Sequence, residues 1–230
     1  MNPEKLVRLE RMGLGPVWKL RAYADESVSE TATDFATDFS ALDWDELEAT
    51  IRECARCGLC RGRTHAVPGI GARNASWLFV GEGPGRNEDL AGEPFIGPAG
   101  KLLDNMLKSL QLARGVDTYI ANIVKCRPVD ADGRDRPPVL SEVATCRPFL
   151  ERQIDLIKPT VIVALGKTAS ISLLGLNEET SLASLRGESH SYQGIPVVVT
   201  YHPAYLLSKP EDKAKSWRDL CLAQSLHDER

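Results

Sequence analysis

No run of apolar residues in this 230-residue chain approaches the length needed to cross a bilayer, so the sequence offers no membrane-spanning helix. The opening MNPEKLVRLERMG also lacks the continuous apolar stretch of a secretory leader, and a soluble, cytoplasmic protein with no membrane contact is expected. Aromatic residues are scarce at 6%, yet with 43% hydrophobic residues the chain can still bury one substantial core. There is no excess of positive charge: 28 Lys and Arg stand against 32 Asp and Glu, a formal net charge of −4, which on its own argues against a nucleic-acid partner. No internal repeat is visible. The common nucleotide-loop fingerprints are missing too, since the glycines run Gly81-x-Gly83-x-Gly85 where GxGxxG would be required, and no lysine follows in Walker fashion.

The charge is unevenly spread. Residues 1–23 carry five basic and two acidic side chains, residues 24–53 one and ten, and residues 54–230 twenty-two and twenty. The acidity therefore lies outside the body of the chain, whose net of +2 leaves room for a basic groove. Residues 1–50 read as an N-terminal extension: a weak helical pattern of Leu6, Leu9, Met12 and Trp18, then an acidic tether from Ala24 to about Trp44. Such a tether suits an unidentified protein partner, or competition with nucleic acid for a basic groove. Residues 51–230 read as one domain, expected to be monomeric.

Within that domain four short apolar runs bounded by turn residues read as buried strands: Trp77 to Val80, Tyr119 to Val124, Val161 to Leu165 and Pro196 to Thr200. Helical segments lie between them, with Leu102, Leu103, Met106, Leu107 and Leu110 on one face and Leu150, Ile154 and Ile157 on another; two more are expected at Lys167 to Leu174 and Ala214 to Leu226. Alternating strands and helices imply right-handed crossovers, hence a three-layer α/β/α fold around a central four-stranded parallel sheet. Ligands of such sheets gather beyond the carboxyl ends of the strands. Four segments fall there: Gly81 to Gly85, Lys125 and Cys126, Gly166, and Tyr201 to Pro203.

Six cysteines in a chain expected in a reducing compartment point to metal ligation or burial and away from disulfides. Cys54 and Cys57 form a CxxC pair whose thiolates can reach one metal or cluster, and Cys126 and Cys146 can complete a four-thiolate site or be buried hydrophobes. Cys60 is a further candidate ligand, and Cys221 a core residue of the last helix.

The stretch GEGPGRNEDLAGEPFIGPAGKLL, from Gly81 to Leu103, is joined downstream by NIVKCRP at Asn122 to Pro128, LRGE at Leu185 to Glu188 and YHPAYLL at Tyr201 to Leu207. The first motif resembles that of family 4 uracil-DNA glycosylases, GE(G/A)PGxxEDxxGxPFxGxAGxLL, and the others follow in that family's order over about Glu53 to Ala223. The resemblance implies an enzyme that extrudes uracil from double- or single-stranded DNA and hydrolyses its N-glycosidic bond. It implies a 4Fe-4S cluster on Cys54, Cys57, Cys126 and Cys146, with Cys60 supernumerary. It also implies that Phe95 stacks on the base, that Asn122 reads its N3–H and O4, and that His202 and the backbone around Gly81, Glu82 and Gly83 stabilise charge on the departing O2. In the best-known glycosylase family an aspartate stands where this chain has Gly83. Glu82 and Glu88 are the nearest substitutes for holding the attacking water, with Asp89 next, although Glu82 can contribute its backbone and Glu88 can wall off a thymine methyl. Leu206 and Leu207 are candidate wedges for the gap left in the duplex, and Lys125, Arg127 and Lys209 candidate phosphate contacts. The loop between Cys126 and Cys146 contains no histidine, unlike the covalently binding branch of these enzymes.

Two rival readings remain at this stage. A zinc-stapled nucleic-acid-binding module without catalysis would be colourless where an iron-sulfur protein is brown. A phosphate- or nucleotide-binding α/β enzyme would use the glycine-rich loop but leaves Phe95, Asn122 and His202 unexplained.

Overall fold

The structure, a computed structural model, describes residues 39–230. Its elements are α1 (Trp44–Glu53), β1 (Ile70–Gly71), β2 (Trp77–Gly81), α2 (Arg86–Ala91), α3 (Pro98–Ser109), β3 (Thr118–Asn122), α4 (Leu140–Ile157), β4 (Val161–Leu165), α5 (Lys167–Leu174), α6 (Leu182–Leu185), β5 (Ser189–Tyr192), β6 (Ile195–Thr200), α7 (Pro203–Ser208) and α8 (Lys213–Asp228). They form the expected three-layer α/β/α arrangement around one sheet of order β1-β3-β2-β4-β6-β5. The four strands anticipated from the apolar runs are its centre, and all pair in parallel. Two short antiparallel strands flank them. The sequence hid both for a physical reason: β1 has only two residues, and β5 is the polar, largely exposed SHSY, so neither forms an apolar run.

Successive residues of a strand face opposite sides, so each inner strand feeds two cores. Leu78, Val80, Ala121, Ile162, Ala164, Val197 and Val199 meet α1, α4 and α5 on one side. Trp77, Phe79, Ile120, Val163, Leu165 and Val198 meet Leu103 and Leu107 of α3 and Leu220 and Ala223 of α8 on the other. Continuous burial of β2, β3 and β4 is what a parallel sheet covered on both faces requires. The chain lays β3 on one side of β2 and β4 on the other, which makes the end of β2 the switch point where such sheets open a crevice.

Residues 39–53 pack onto the body of the domain. The ring of Phe39 lies 4.7 Å from that of Phe149, and Arg152 donates to the Leu42 carbonyl through Nε at 2.8 Å and Nη2 at 2.6 Å. Asp43 and Glu46 form a capping box that starts α1, and its Leu47 and Ile51, one turn apart, are fully buried. The acidic residues of this segment are therefore the solvated face of an amphipathic helix. The pattern from Leu6 to Trp18, and the tether up to residue 38, lie outside the described residues. No helix among the described residues is long and apolar enough to cross a membrane.

Candidate active site and cysteine cluster

A cavity of about 240 Å³ opens beyond the ends of β2, β3 and β6, and Glu82, Gly83, Gly85, Glu88, Phe95, Asn122, Asp135, Arg136 and His202 are among the residues that line it. Strand register builds its floor. Gly81 and Asn122 are direct partners across β2 and β3, so the amide of Asn122 lies over the glycine. A Cβ on Gly81 would stand 2.4 Å from Asn122 Oδ1 and 2.6 Å from Phe95 Cζ, so only glycine lets the amide and the ring converge. Asn122 is 2% exposed, and its Oδ1 is a buried acceptor with no hydrogen-bond partner. Such a group costs free energy unless something arrives to satisfy it.

Phe95 is buried and holds a left-handed backbone, φ 56°, which is uncommon for a bulky residue. Three contacts hold it there. Arg114 donates to the Pro94 carbonyl at 2.9 Å and to the Phe95 carbonyl at 2.5 Å, while Asp104 grips the same guanidinium at 2.5 Å. The Phe95 carbonyl also occupies the space a Cβ on Gly100 would need. Glu88 Oε1 accepts from the backbone N–H of Ile96 at 3.2 Å and Gly97 at 3.4 Å, stapling the same loop. Glu82 Oε2 accepts from the Thr168 hydroxyl at 2.5 Å. Asp89 is buried and accepts from the Thr64 N–H, which takes it out of the pocket.

His202 caps α7: its Nδ1 accepts from the Ala204 N–H at 3.2 Å, which fixes the proton on Nε2. Its ring sits 5.5 Å from that of Phe95. Gly166, at φ 89°, leaves room for His202, since a Cβ there would lie 2.9 Å from His202 Cβ. Arg186 of the LRGE segment supports this corner by stacking 4.1 Å over the Tyr201 ring while donating to Asp219 at 2.8 Å, and Asp219 also accepts from Thr200 at 2.8 Å. Burial pushes the His202 pKa down from 6.5 to about 4, so the ring is a neutral donor at physiological pH. Stability gained by burying the neutral ring is complete above pH 6.5 and is lost as pH falls through about 4. The His202 ring resonance in a proton NMR titration is expected to have its midpoint near 4, and a midpoint at or above 6.5 would contradict this environment.

Several expected surface contacts are corrected. Lys125 is 1% exposed, and its ammonium donates inward to the Asn122 carbonyl at 2.9 Å and to Gln153 Oε1 at 2.6 Å. It props the pocket amide and cannot reach a phosphate. Arg127 pairs with Asp135 at 2.5 Å, with its side chain only 17% exposed. Leu206 is core at 1% exposure, whereas Leu207 is 46% exposed and keeps its place as a candidate wedge. Lys209 is exposed. Sequence reasoning missed Arg114, Asp135 and Arg136, which loops bring in without any apolar period, and Thr168, a polar position on the expected helix α5.

The cysteines gather on the α4 side of the sheet. Cys126 and Cys146 are buried in that core, with Cys54 and Cys57 packed against it. Arg63 Nη1 donates to Cys126 Sγ at 3.1 Å and to the Cys54 carbonyl at 2.7 Å, and the Lys125 N–H donates to Cys146 Sγ at 3.2 Å. Burial raises both the Cys126 and the Cys146 thiol, the latter to about 12. Among the described residues no group of three or more His, Cys, Asp or Glu is gathered closely enough to hold a single metal ion. Thiols packed in or against one core, two of them receiving N–H donors, have the chemistry of iron-sulfur ligands. Cys60 is half-buried, and Cys221 is exposed, not a core residue as its place on the last helix suggested.

Residues 68–223 match the model of the uracil DNA glycosylase superfamily. The chain belongs to that superfamily. Among its relatives, the type-4 uracil-DNA glycosylase of Archaeoglobus fulgidus is 41% identical over 173 residues, 73% of this chain and 84% of the relative. That of Sulfurisphaera tokodaii is 39% identical over 191 residues, 77% and 84% of the two chains. That of Thermotoga maritima is 42% identical over 158 residues, 68% and 79%. The superfamily segment ends within α8 and includes every pocket residue; Cys54 and Cys57 precede it.

Proposed function

We propose that this chain is a uracil-DNA glycosylase that flips uracil out of DNA and hydrolyses its N-glycosidic bond, leaving an abasic site and so initiating base excision repair. The observation that carries the reading is the unsatisfied Asn122 Oδ1 buried at the floor of a cavity walled by an aromatic ring and a neutral histidine. Uracil offers N3–H to that acceptor and O4 to the amide N–H, while cytosine presents the inverse pattern and leaves both sides unpaired. Phe95 supplies a flat apolar face, held by Arg114, Gly100 and Glu88, and Gly81 lets the base descend between ring and amide. As the C1′–N1 bond breaks, negative charge collects on the uracil near O2. A donor preset at that point stabilises the transition state more than the ground state. The Nε2–H of His202 is such a donor, and its low pKa means that it gives a hydrogen bond without giving up a charge. Leu207 fills the gap left in the stack.

Cys54, Cys57, Cys126 and Cys146 would hold a 4Fe-4S cluster, whose contribution is to fasten α1, the CxxC turn and α4 to the sheet. Hydrolysis needs no electron from it. The packing of all four thiols in or against one core supports this ligand set. Incubating the purified chain with a duplex carrying one uracil, and detecting free uracil by mass spectrometry, tests the reading. Uracil retained entirely in the DNA would contradict it.

A further inference from the structure

Hydrolysis at C1′ requires a water held beside the sugar, and the carboxylate that this task calls for is missing at Gly83. Each of the three pocket carboxylates has one oxygen engaged within the protein. Glu82 is tied through Oε2 to Thr168, and Glu88 is tied through Oε1 to the amides that shape the Phe95 loop. The third, Asp135, comes from the charged loop after the KCRP segment, thirteen residues beyond Asn122 in sequence.

We propose that Asp135 is a catalytic residue of the hydrolysis, the carboxylate that orients the attacking water; the inference rests on the uracil-DNA glycosylase reading above. The loop that carries Asp135 is built to hold it still. Arg127 Nε donates to Asp135 Oδ1 at 2.5 Å, and the backbones of Val129 and Asp135 pair as an antiparallel bridge. Arg136 donates to the Val129 carbonyl at 2.9 Å and clamps Glu142 of α4 with two bonds, at 2.8 and 2.6 Å. This leaves Oδ2 for a water. A point over Gly85, where a Cβ would stand, is 3.6 Å from Asp135 Oδ2 and 2.9 Å from Glu88 Oε2. With glycine there, no side chain fills the space beyond that point, and the two carboxylate oxygens border it. A water between them donates one proton to each and directs a lone pair into the cavity. In the step, the water oxygen bonds to C1′ and the C1′–N1 pair leaves with the uracil. The surplus proton passes to the Asp135 carboxylate, which releases it to solvent.

The test uses the full chain and a single-uracil duplex under single-turnover conditions. Asp135→Asn, which keeps the side-chain shape, and Asp135→Ala should each slow excision about 100-fold or more, the usual weight of a positioned base. Added formate should restore the Asp135→Ala rate. The proposal is overturned if Asp135→Asn excises uracil at a rate close to that of the unsubstituted chain, or if formate leaves Asp135→Ala unimproved. An unsubstituted chain that releases no uracil would instead overturn the functional reading on which the proposal rests.

Discussion

Asn122→Asp is expected to cut uracil excision by roughly two to three orders of magnitude, about 3–4 kcal/mol of lost transition-state stabilisation. The amide is the buried group in the pocket that both accepts and donates, and its Oδ1 has no partner inside the protein. A carboxyl in its place loses the N–H that meets O4. Burial also disfavours its charged form, and the protonated acid can donate to N3 of cytosine. The variant should therefore acquire slow release of cytosine while losing uracil activity. The backbone should not move, because the Lys125 ammonium holds the Asn122 carbonyl from beneath and β3 pairs with β2 on its other side. Rates on matched uracil and cytosine oligonucleotides check this. Unchanged uracil kinetics would remove Asn122 from the site.

The second large effect is expected at the cysteines. With the proposed cluster in place the protein should be brown, and Cys126→Ser and Cys146→Ser should each bleach it and lower Tm by about 10 °C, given the roughly 2–4 °C lost per kcal/mol for a domain of this size. Both sulfurs are buried and receive N–H donors that would be left aimed at a poorer ligand. Losing the cluster also frees Cys54 and Cys57, and with them the end of α1. Cys60→Ser should keep the colour, as should Cys221→Ser, whose thiol is exposed on α8. Absorbance near 400 nm with a thermal melt measures both effects. A Cys60→Ser protein that loses colour while Cys57→Ser retains it would reverse the ligand assignment.

The parts of the molecule legible in the sequence are those where one physical signal dominates. The four inner strands announce themselves because both of their faces are buried, leaving unbroken apolar runs such as Val161 to Leu165. Phe95, Asn122 and His202 lie within recognisable motifs and line one cavity. Helix α1 was obscured by composition: Asp45, Glu46 and Glu48 dominate the segment, although Asp43 followed three residues on by Glu46, then Leu47 and Ile51 one turn apart, is a legible helix start. Lys125 and Arg127 flank Cys126, and spacing alone cannot show that one ammonium turns inward to Gln153 while the neighbouring guanidinium is spent on Asp135. Nor does any periodicity carry Asp135 or Arg136 to the pocket. Their loop is placed by Arg127 and Glu142, side-chain contacts that only the folded chain displays.

The central claim is that the crevice at the end of β2 removes uracil, and only uracil among the common bases, from DNA. The direct measurement is alkaline strand scission after incubation with end-labelled oligonucleotides that carry uracil, thymine or cytosine at the same position. The account predicts scission at uracil alone for the unsubstituted chain, with scission at cytosine emerging in Asn122→Asp. Intact strands at uracil, or equal scission at thymine, would contradict it.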